Sequence, residues 1–129
     1  MEISSSQFAD VVVAAPVGRI DHRSAAALEA FLAPLVQRAA AAKGVLLLDF
    51  TGVDYISSVG LRALMIASRQ MRGAEGTIAV TNLQPVVAEI FAISRFDSVI
   101  DVLPSVAVAL RQLSPAASTA YEADRSSTR

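Results

Sequence analysis

The sequence predicts an α/β domain: a mixed central sheet of four to five strands with about four helices packed on it. Three observations carry that reading. Apolar β-branched runs alternate with longer segments of helical period, the pattern of strands joined by crossover helices. Val45-Leu46-Leu47-Leu48 is apolar at every position, as a strand covered on both faces must be. Gly18, Gly44, Gly73, Pro85 and Pro104 fall between these segments or at their ends, where chain breakers belong.

The elements follow in order. Met1 to Phe8 reads as a weak strand, and Val11 to Val17 as a buried one closed by Gly18, with Gln7-Phe8-Ala9-Asp10 as the hairpin turn between them. Ser24 to Ala42 is long and alanine-rich and reads as a helix, with Ser24 as its N-cap. Leu28, Phe31, Leu32, Leu35 and Val36 recur at three- and four-residue spacing and give it one apolar face. Pro34 lies inside this pattern and is expected to remove one backbone bond and kink or break the helix. Lys43-Gly44 supplies a cation and a C′ glycine at its end. Val45 to Phe50 is the central strand, and Thr51-Gly52-Val53-Asp54 turns. Ser58 to Arg72 is the second helix, with Leu61, Leu64, Met65 and Ser68 on one side, and Gly73-Ala74-Glu75-Gly76 ends it. Thr77 to Val80 is another strand, and Pro85 takes the first position of a helix through about Ile93. Val99-Ile100 reads as a very short strand, and Pro104 and Ser105 open a last helix ending near Leu113. One domain is therefore expected over residues 1–113. Residues 114–129, small and polar without an apolar stripe, are expected to form a flexible C-terminal tail.

Composition removes several functions. The chain has 129 residues, enough for one ordinary domain and too few for two. With no cysteine, disulfides and thiolate-based metal centres are excluded, and the single His22 excludes a histidine-rich one. No metal and no cofactor is expected. A net charge of −1 argues against general nucleic-acid binding, which normally brings a basic excess. No run approaches the roughly 20 apolar residues of a membrane span. Met1-Glu2-Ile3-Ser4 lacks the basic and apolar regions of a secretory signal, so the cytoplasm is the expected compartment. Lys43 is the single lysine among 11 basic residues, a bias read here as that of a GC-rich bacterial genome. The absence of a coiled-coil heptad predicts a monomer.

Enzyme motifs are missing. The sequence contains no Gly-x-Ser-x-Gly, no Walker A and no Gly-x-Gly-x-x-Gly. His22 follows Asp21, so a hydrolase using Ser58 and His22 is formally open, but His22 reads equally as an exposed loop residue before a helix. The informative stretch is Val53-Asp54-Tyr55-Ile56-Ser57-Ser58-Val59-Gly60-Leu61-Arg62, where an extended segment stops, two serines follow and a helix begins. A serine there lies beside unpaired N–H groups and the positive end of the helix dipole. A phosphate added to it would be stabilised by the same groups and would place nearly two negative charges on a neutral surface. Ser57 or Ser58 is equally suited to be an N-cap. Asp21 admits two roles, turn residue or part of a contact surface. Arg62, Arg69 and Arg72 share a similar azimuth on the second helix, as a docking stripe or as a solvated face.

Four segments together resemble one family. Gly18-Arg19-Ile20-Asp21-His22-Arg23-Ser24-Ala25 resembles the Gly-x-Leu-Asp-x-x-Thr/Ser-Ala turn of STAS domains, and Val45 to Asp49 their central strand. Ile56-Ser57-Ser58-Val59-Gly60-Leu61 is similar to the phosphorylation loop of bacterial anti-sigma factor antagonists. Asn82-Leu83-Gln84-Pro85-Val86-Val87 and the helix at Ser105 to Leu110 fit as well, so the resemblance runs from about residue 2 to 113. It implies a STAS-type fold and a non-enzymatic protein of a partner-switching pathway. The unphosphorylated antagonist binds an anti-sigma factor that is also a GHKL-type serine kinase; phosphorylation abolishes binding, and a PP2C-type phosphatase restores it. The resemblance places the acceptor at Ser58. It places the partner surface at Asp21, Ser24, Ser57, Val59, Gly60 and Arg62, with Ser57 where the family usually has Asp and Val59 where it has Ser or Thr. It also admits a second use of the fold, as a subunit that binds and regulates a transporter ATPase without a phosphorylation cycle.

Overall fold

A computed structural model describes residues 1–127. Strand β1 (Glu2–Phe8) turns through Ala9-Asp10 into β2 (Val11–Ile20), followed by α1 (Ala25–Ala41), β3 (Val45–Asp49), β4 (Val53–Ile56) and α2 (Ser58–Gly73). Then come β5 (Thr77–Thr81), α3 (Pro85–Ile93), a 3₁₀ turn at Phe96–Ser98, β6 (Asp101–Leu103), α4 (Val106–Leu113) and α5 (Pro115–Ser127). The sheet order is β1-β2-β3-β5-β6, antiparallel between β1 and β2 and parallel elsewhere. The mixed α/β architecture is the expected one.

The strands' period of two divides the core between two faces. Val12, Ala14, Leu46, Leu48, Ile78 and Val80 point to one face, where they pack with Leu28, Leu32, Leu64, Val87 and Phe91 of α1, α2 and α3. Val11, Val13, Val45, Leu47 and Ala79 point to the other, beneath Ala109 and Leu110 of α4 and Ala117 of α5. A strand with both faces covered has no polar positions to spare, which is why β3 reads as an unbroken apolar run.

Several local expectations are corrected. Pro34 does not break α1, which runs on through it to Ala41; it stands on the solvent side, where the carbonyl of Ala30 can bond water instead of an amide. Gly44 is not the left-handed C′ residue; Lys43 is, at φ 49°, with its N–H donating to Ala40 O and that of Gly44 to Ala39 O. Gly44 is needed for a different reason: a Cβ there would lie 2.0 Å from the backbone oxygen of Asp10. The end of α2 repeats the motif, with Glu75 left-handed and Gly76 next to Met71.

Three segments depart from the expected order. Val53 and Asp54, read as the end of a turn, belong with Tyr55 and Ile56 to strand β4 (Val53–Ile56), which pairs with the last residues of β2. That pairing requires β2 to run on to Ile20 through Gly18, whose φ of 114° accommodates a register shift. The short strand lies at Asp101–Leu103 rather than at Val99-Ile100, because Ile100 is drawn into the core and the oxygen of Val99 accepts from Arg72. Finally, α4 is not the last helix. Where a flexible tail was expected at 114–129, Pro115–Ser127 form α5, and Thr128 and Arg129 lie outside the described residues. Ser114 caps α5 by accepting from Ala117 N at 3.2 Å, while its hydroxyl donates to the Asp10 carboxylate at 2.6 Å. Tyr121 meets Phe8 edge-on at 5.3 Å. These long-range contacts replace the continuous apolar stripe that the segment lacks.

Candidate functional site

Two loops meet at the C-terminal ends of β2 and β4. The parallel pairing of Arg19 with Tyr55 and Ile20 with Ile56 brings the chain after β2 beside the chain after β4. One backbone bond, from Ser57 N to Ile20 O at 2.7 Å, joins the two loops directly. Asp21 and Ser57, 36 positions apart in sequence, therefore become neighbours of a single hydrogen-bonded junction.

The second loop is built around the start of α2. Ser57 is the N-cap: its backbone is extended and its hydroxyl accepts from Gly60 N at 3.2 Å. Ser58 is consequently the first helical residue, and its side chain is exposed. The amides of Ser58 and Val59 have no backbone acceptor among the described residues, as expected for the first turn of a helix. Val59 is 46% exposed, one of seven exposed large apolar residues among the described residues. Gly60 is buried, and the reason is steric. A Cβ there would lie 2.6 Å from Ile20 Cγ2 and 2.8 Å from Ile56 Cγ1, so its glycine lets α2 settle on the ends of both strands. Gly60 thus shapes the loop from beneath, whereas Ser58, Val59 and Arg62 are on its outer surface.

The first loop is held by Asp21. Its Oδ1 accepts from Arg23 N at 2.9 Å and Ser24 N at 3.2 Å, and its Oδ2 lies 3.5 Å from Arg19 Nε. The Arg23 amide, with a smaller contribution from Ser24, holds the carboxyl below its usual range against an opposing desolvation effect. Ser24 does not cap α1 with its side chain, as the sequence suggested. Its hydroxyl donates to Arg19 O at 2.7 Å and accepts from Asp21 N at 2.9 Å, folding the loop back on β2. The guanidinium of Arg19 sits 3.9 Å above the Tyr55 ring, a cation–π contact between the two loop bases.

The remaining positions separate. Arg62 and Arg69 are exposed, but Arg72 is turned to the oxygen of Val99 at 2.5 Å, so the three do not form one free stripe. His22 is exposed, and no hydrogen bond joins it to Ser58 among the described residues. Among those residues there is also no group of three or more metal-ligating side chains and no helix long and apolar enough to cross a membrane.

Sequence reasoning missed two features of this end of the sheet. One is the Arg19–Tyr55 contact, hidden because Val53–Ile56 carries no strand pattern of its own. The other is a polar bracket at the ends of β3 and β5. Asp49 Oδ1 accepts from Thr51 Oγ1 at 2.6 Å and Asn82 Nδ2 at 3.1 Å, and Gln84 Nε2 donates to Thr51 O at 2.8 Å. The signal was present as polar residues at the ends of two apolar strands, Asp49 and Thr51 for one and Thr81-Asn82 for the other. The bracket fixes the loop that leads into β4, and so the approach to Ser57.

Grooves of about 350 to 400 Å³ lie between α1 and α2, along β1–β2 and beside β6, and none is lined by Asp21, Ser57 or Ser58. The site is a pair of hydrogen-bonded loops at one end of the sheet, apart from these grooves. The chain belongs to the STAS domain family: the family model described as "Mlab, STAS domain" matches residues 4–104. BtrV of Bordetella bronchiseptica, a candidate anti-sigma factor antagonist, is 32% identical over 105 residues, covering 81% of this chain and 88% of that protein. An anti-sigma factor antagonist from Mycobacterium paratuberculosis has a similar solved structure, with a TM-score of 0.75 at 23% identity over 87% of this chain and 94% of that one. The Bacillus cell fate determinant SpoIIAA in its phosphorylated form gives a TM-score of 0.65 at 15% identity, covering 86% and 98%. At these identities the solved structures establish a shared fold.

Proposed function

We propose that this chain is an anti-sigma factor antagonist that works as the reversible element of a partner switch. Unphosphorylated, it binds an anti-sigma factor that is also a GHKL-type serine kinase, in the cytoplasm. Phosphorylation of Ser58 releases it, and a PP2C-type phosphatase resets it. The chain acts by binding and performs no catalysis of its own. The observation that carries this reading is the placement of Ser58: exposed, at the first position of α2, and fixed beside the Asp21 loop by the Ser57–Ile20 bond.

The physics of the switch is local. A partner that covers the neutral loop must desolvate Ser58 and bury Val59. A phosphate at Ser58 brings nearly two charges to the same spot, at a cost of several kcal/mol unless new cations meet it. No change of fold is needed for release. The contact surface comprises Asp21 and Ser24 on one loop and Ser57, Val59 and Arg62 on the other, with Gly60 setting the helix position underneath.

Ser57 stands where the resembled phosphorylation-loop pattern has Asp, and its geometry supports the assignment. Its hydroxyl makes the cap bond that a carboxylate would make, so the loop keeps its shape without the charge. The same substitution, with Val59, favours one other reading: a subunit that binds a transporter ATPase through these loops and is never phosphorylated. Titrating the purified partner kinase with unphosphorylated protein and with protein carrying phosphate at Ser58 separates them. The switch predicts binding that falls by about two orders of magnitude or more on phosphorylation. Equal affinities for the two forms would remove it.

A further inference from the structure

The two edges of the sheet are treated differently. β6 is blunted by the usual devices: it is three residues long, carries Asp101 and runs into Pro104. β1 has none of them. It is seven residues long, with no proline and no lysine, and its one charge, Glu2, lies at its end. Ser4, Ser5, Ser6 and Gln7 are exposed, and among the described residues no strand pairs with the outer side of β1.

The hydrogen-bond directions along this edge follow from its neighbours. Val45 N donates to Asp10 O and Gly18 N to Gly52 O, so the even-numbered residues of β2 direct their backbone groups toward β3 and β4. The odd-numbered ones, Val11 to Val17, therefore face β1, opposite Phe8, Ser6, Ser4 and Glu2. Because successive residues alternate, the groups left over on β1 are those of Ile3, Ser5 and Gln7, each offering one N–H and one C=O to the outside. Pro16 confirms the phase: its missing N–H would have pointed away from β1, at the place where β2 changes partner from β3 to β4.

We infer that β1 is a self-pairing edge, and that two copies of this chain join their sheets antiparallel about a twofold axis at Ser5. That register sets Ser5 opposite Ser5, Ile3 opposite Gln7 and Ser4 opposite Ser6. Every outward backbone group of Ile3, Ser5 and Gln7 is then satisfied, and registers shifted by two residues leave some unpaired. The side chains that meet are small or uncharged, so no like charges oppose one another. An isologous pair of this kind is closed and stops at two copies, since each copy has one such edge. The expectation of a monomer rested on the absence of heptads, a signal that does not see a strand edge. The axis lies on the far side of β2 from β3, so both Ser58 loops stay exposed. The inference does not depend on the partner switch.

Sedimentation velocity over a range of concentrations, on the full chain, tests it with two variants. Ser5→Pro removes an outward N–H and leaves the β1–β2 ladder its own bonds. Ser5→Lys sets two ammonium groups opposite each other across the axis. The wild type is expected to sediment as a concentration-dependent dimer, with its dissociation constant raised about tenfold or more by Ser5→Lys. Amide exchange should show Ser5 protected in the dimer, and both variants should retain the wild-type melting temperature to within a few degrees. A wild type that remains monomeric at all concentrations overturns the inference. So does a dimer that survives Ser5→Lys unchanged, or one in which the Ser5 amide exchanges freely.

Discussion

Replacing Gly60 with alanine sets two effects of opposite sign against each other. In an ordinary helix the change stabilises by up to about 1 kcal/mol, because glycine is the poorer helix former. Here the added methyl would lie 2.6 Å from Ile20 Cγ2 and 2.8 Å from Ile56 Cγ1. Both isoleucines are fully buried, at 0% and 1% exposure, and the atoms concerned are bonded to Cβ, so they can move aside only by a χ1 rotation that β-branching and the surrounding core oppose. Overpacking of this kind costs about 1 to 3 kcal/mol. The net expectation is a loss of about 1 to 2 kcal/mol, a fall in melting temperature of roughly 4 to 8 °C for a domain of this size. Urea unfolding at constant slope measures it. The relief available to the structure is to lift the first turn of α2, which displaces Ser58, so phosphorylation should slow even where the protein remains folded. A Gly60→Ala protein as stable as the wild type, or more so, would refute the account of how α2 is seated.

Three further outcomes are expected. Ser57→Ala should lose the cap bond to Gly60 and about 1 kcal/mol of stability by urea unfolding, whereas Ser57→Asp should retain it, because a carboxylate caps equally well and favours the helix N-terminus. Ser114→Ala should break the tie between α5 and Asp10, costing about 1 to 2 kcal/mol and accelerating amide exchange in α5 more than in α2. The Asp21 carboxyl is held below its ordinary value of 3.8, so its contribution is fully present above that pH and is lost as pH falls through the lower folded value. The stability gap between wild type and Asp21→Asn should accordingly be constant at neutral pH and close below pH 3.8; a gap of unchanged size in acid would show that the charge is not its source.

What was legible in the sequence depended on how local the cause was. β3, β5 and α3 could be read closely because apolar runs and Pro85 act within their own segments. The cap at Ser105 is of the same kind, accepting from Val108 N at 3.2 Å. β4 could not be read, since Asp54 in mid-strand looks like a turn and the strand exists through pairing with the end of β2. α5 escapes a reading by pattern because a helix can be held by a few tertiary contacts, here Ser114, Ala117 and Tyr121, without a full stripe. The two loops of the site were singled out, but their junction was not. A backbone bond from Ser57 to Ile20 leaves no trace in residue type, and neither does the turn of the Ser24 hydroxyl away from α1.

The central claim is that Ser58 is the switch. Intact-mass measurement of the protein purified from its own host, wild type beside Ser58→Ala with Ser57 untouched, tests it most directly. The account predicts one phosphate on a fraction of the wild type and none on the variant. Phosphate that persists on Ser58→Ala, or a wild type that carries none through growth and stress, would contradict it and leave Ser58 as the first residue of a helix and nothing more.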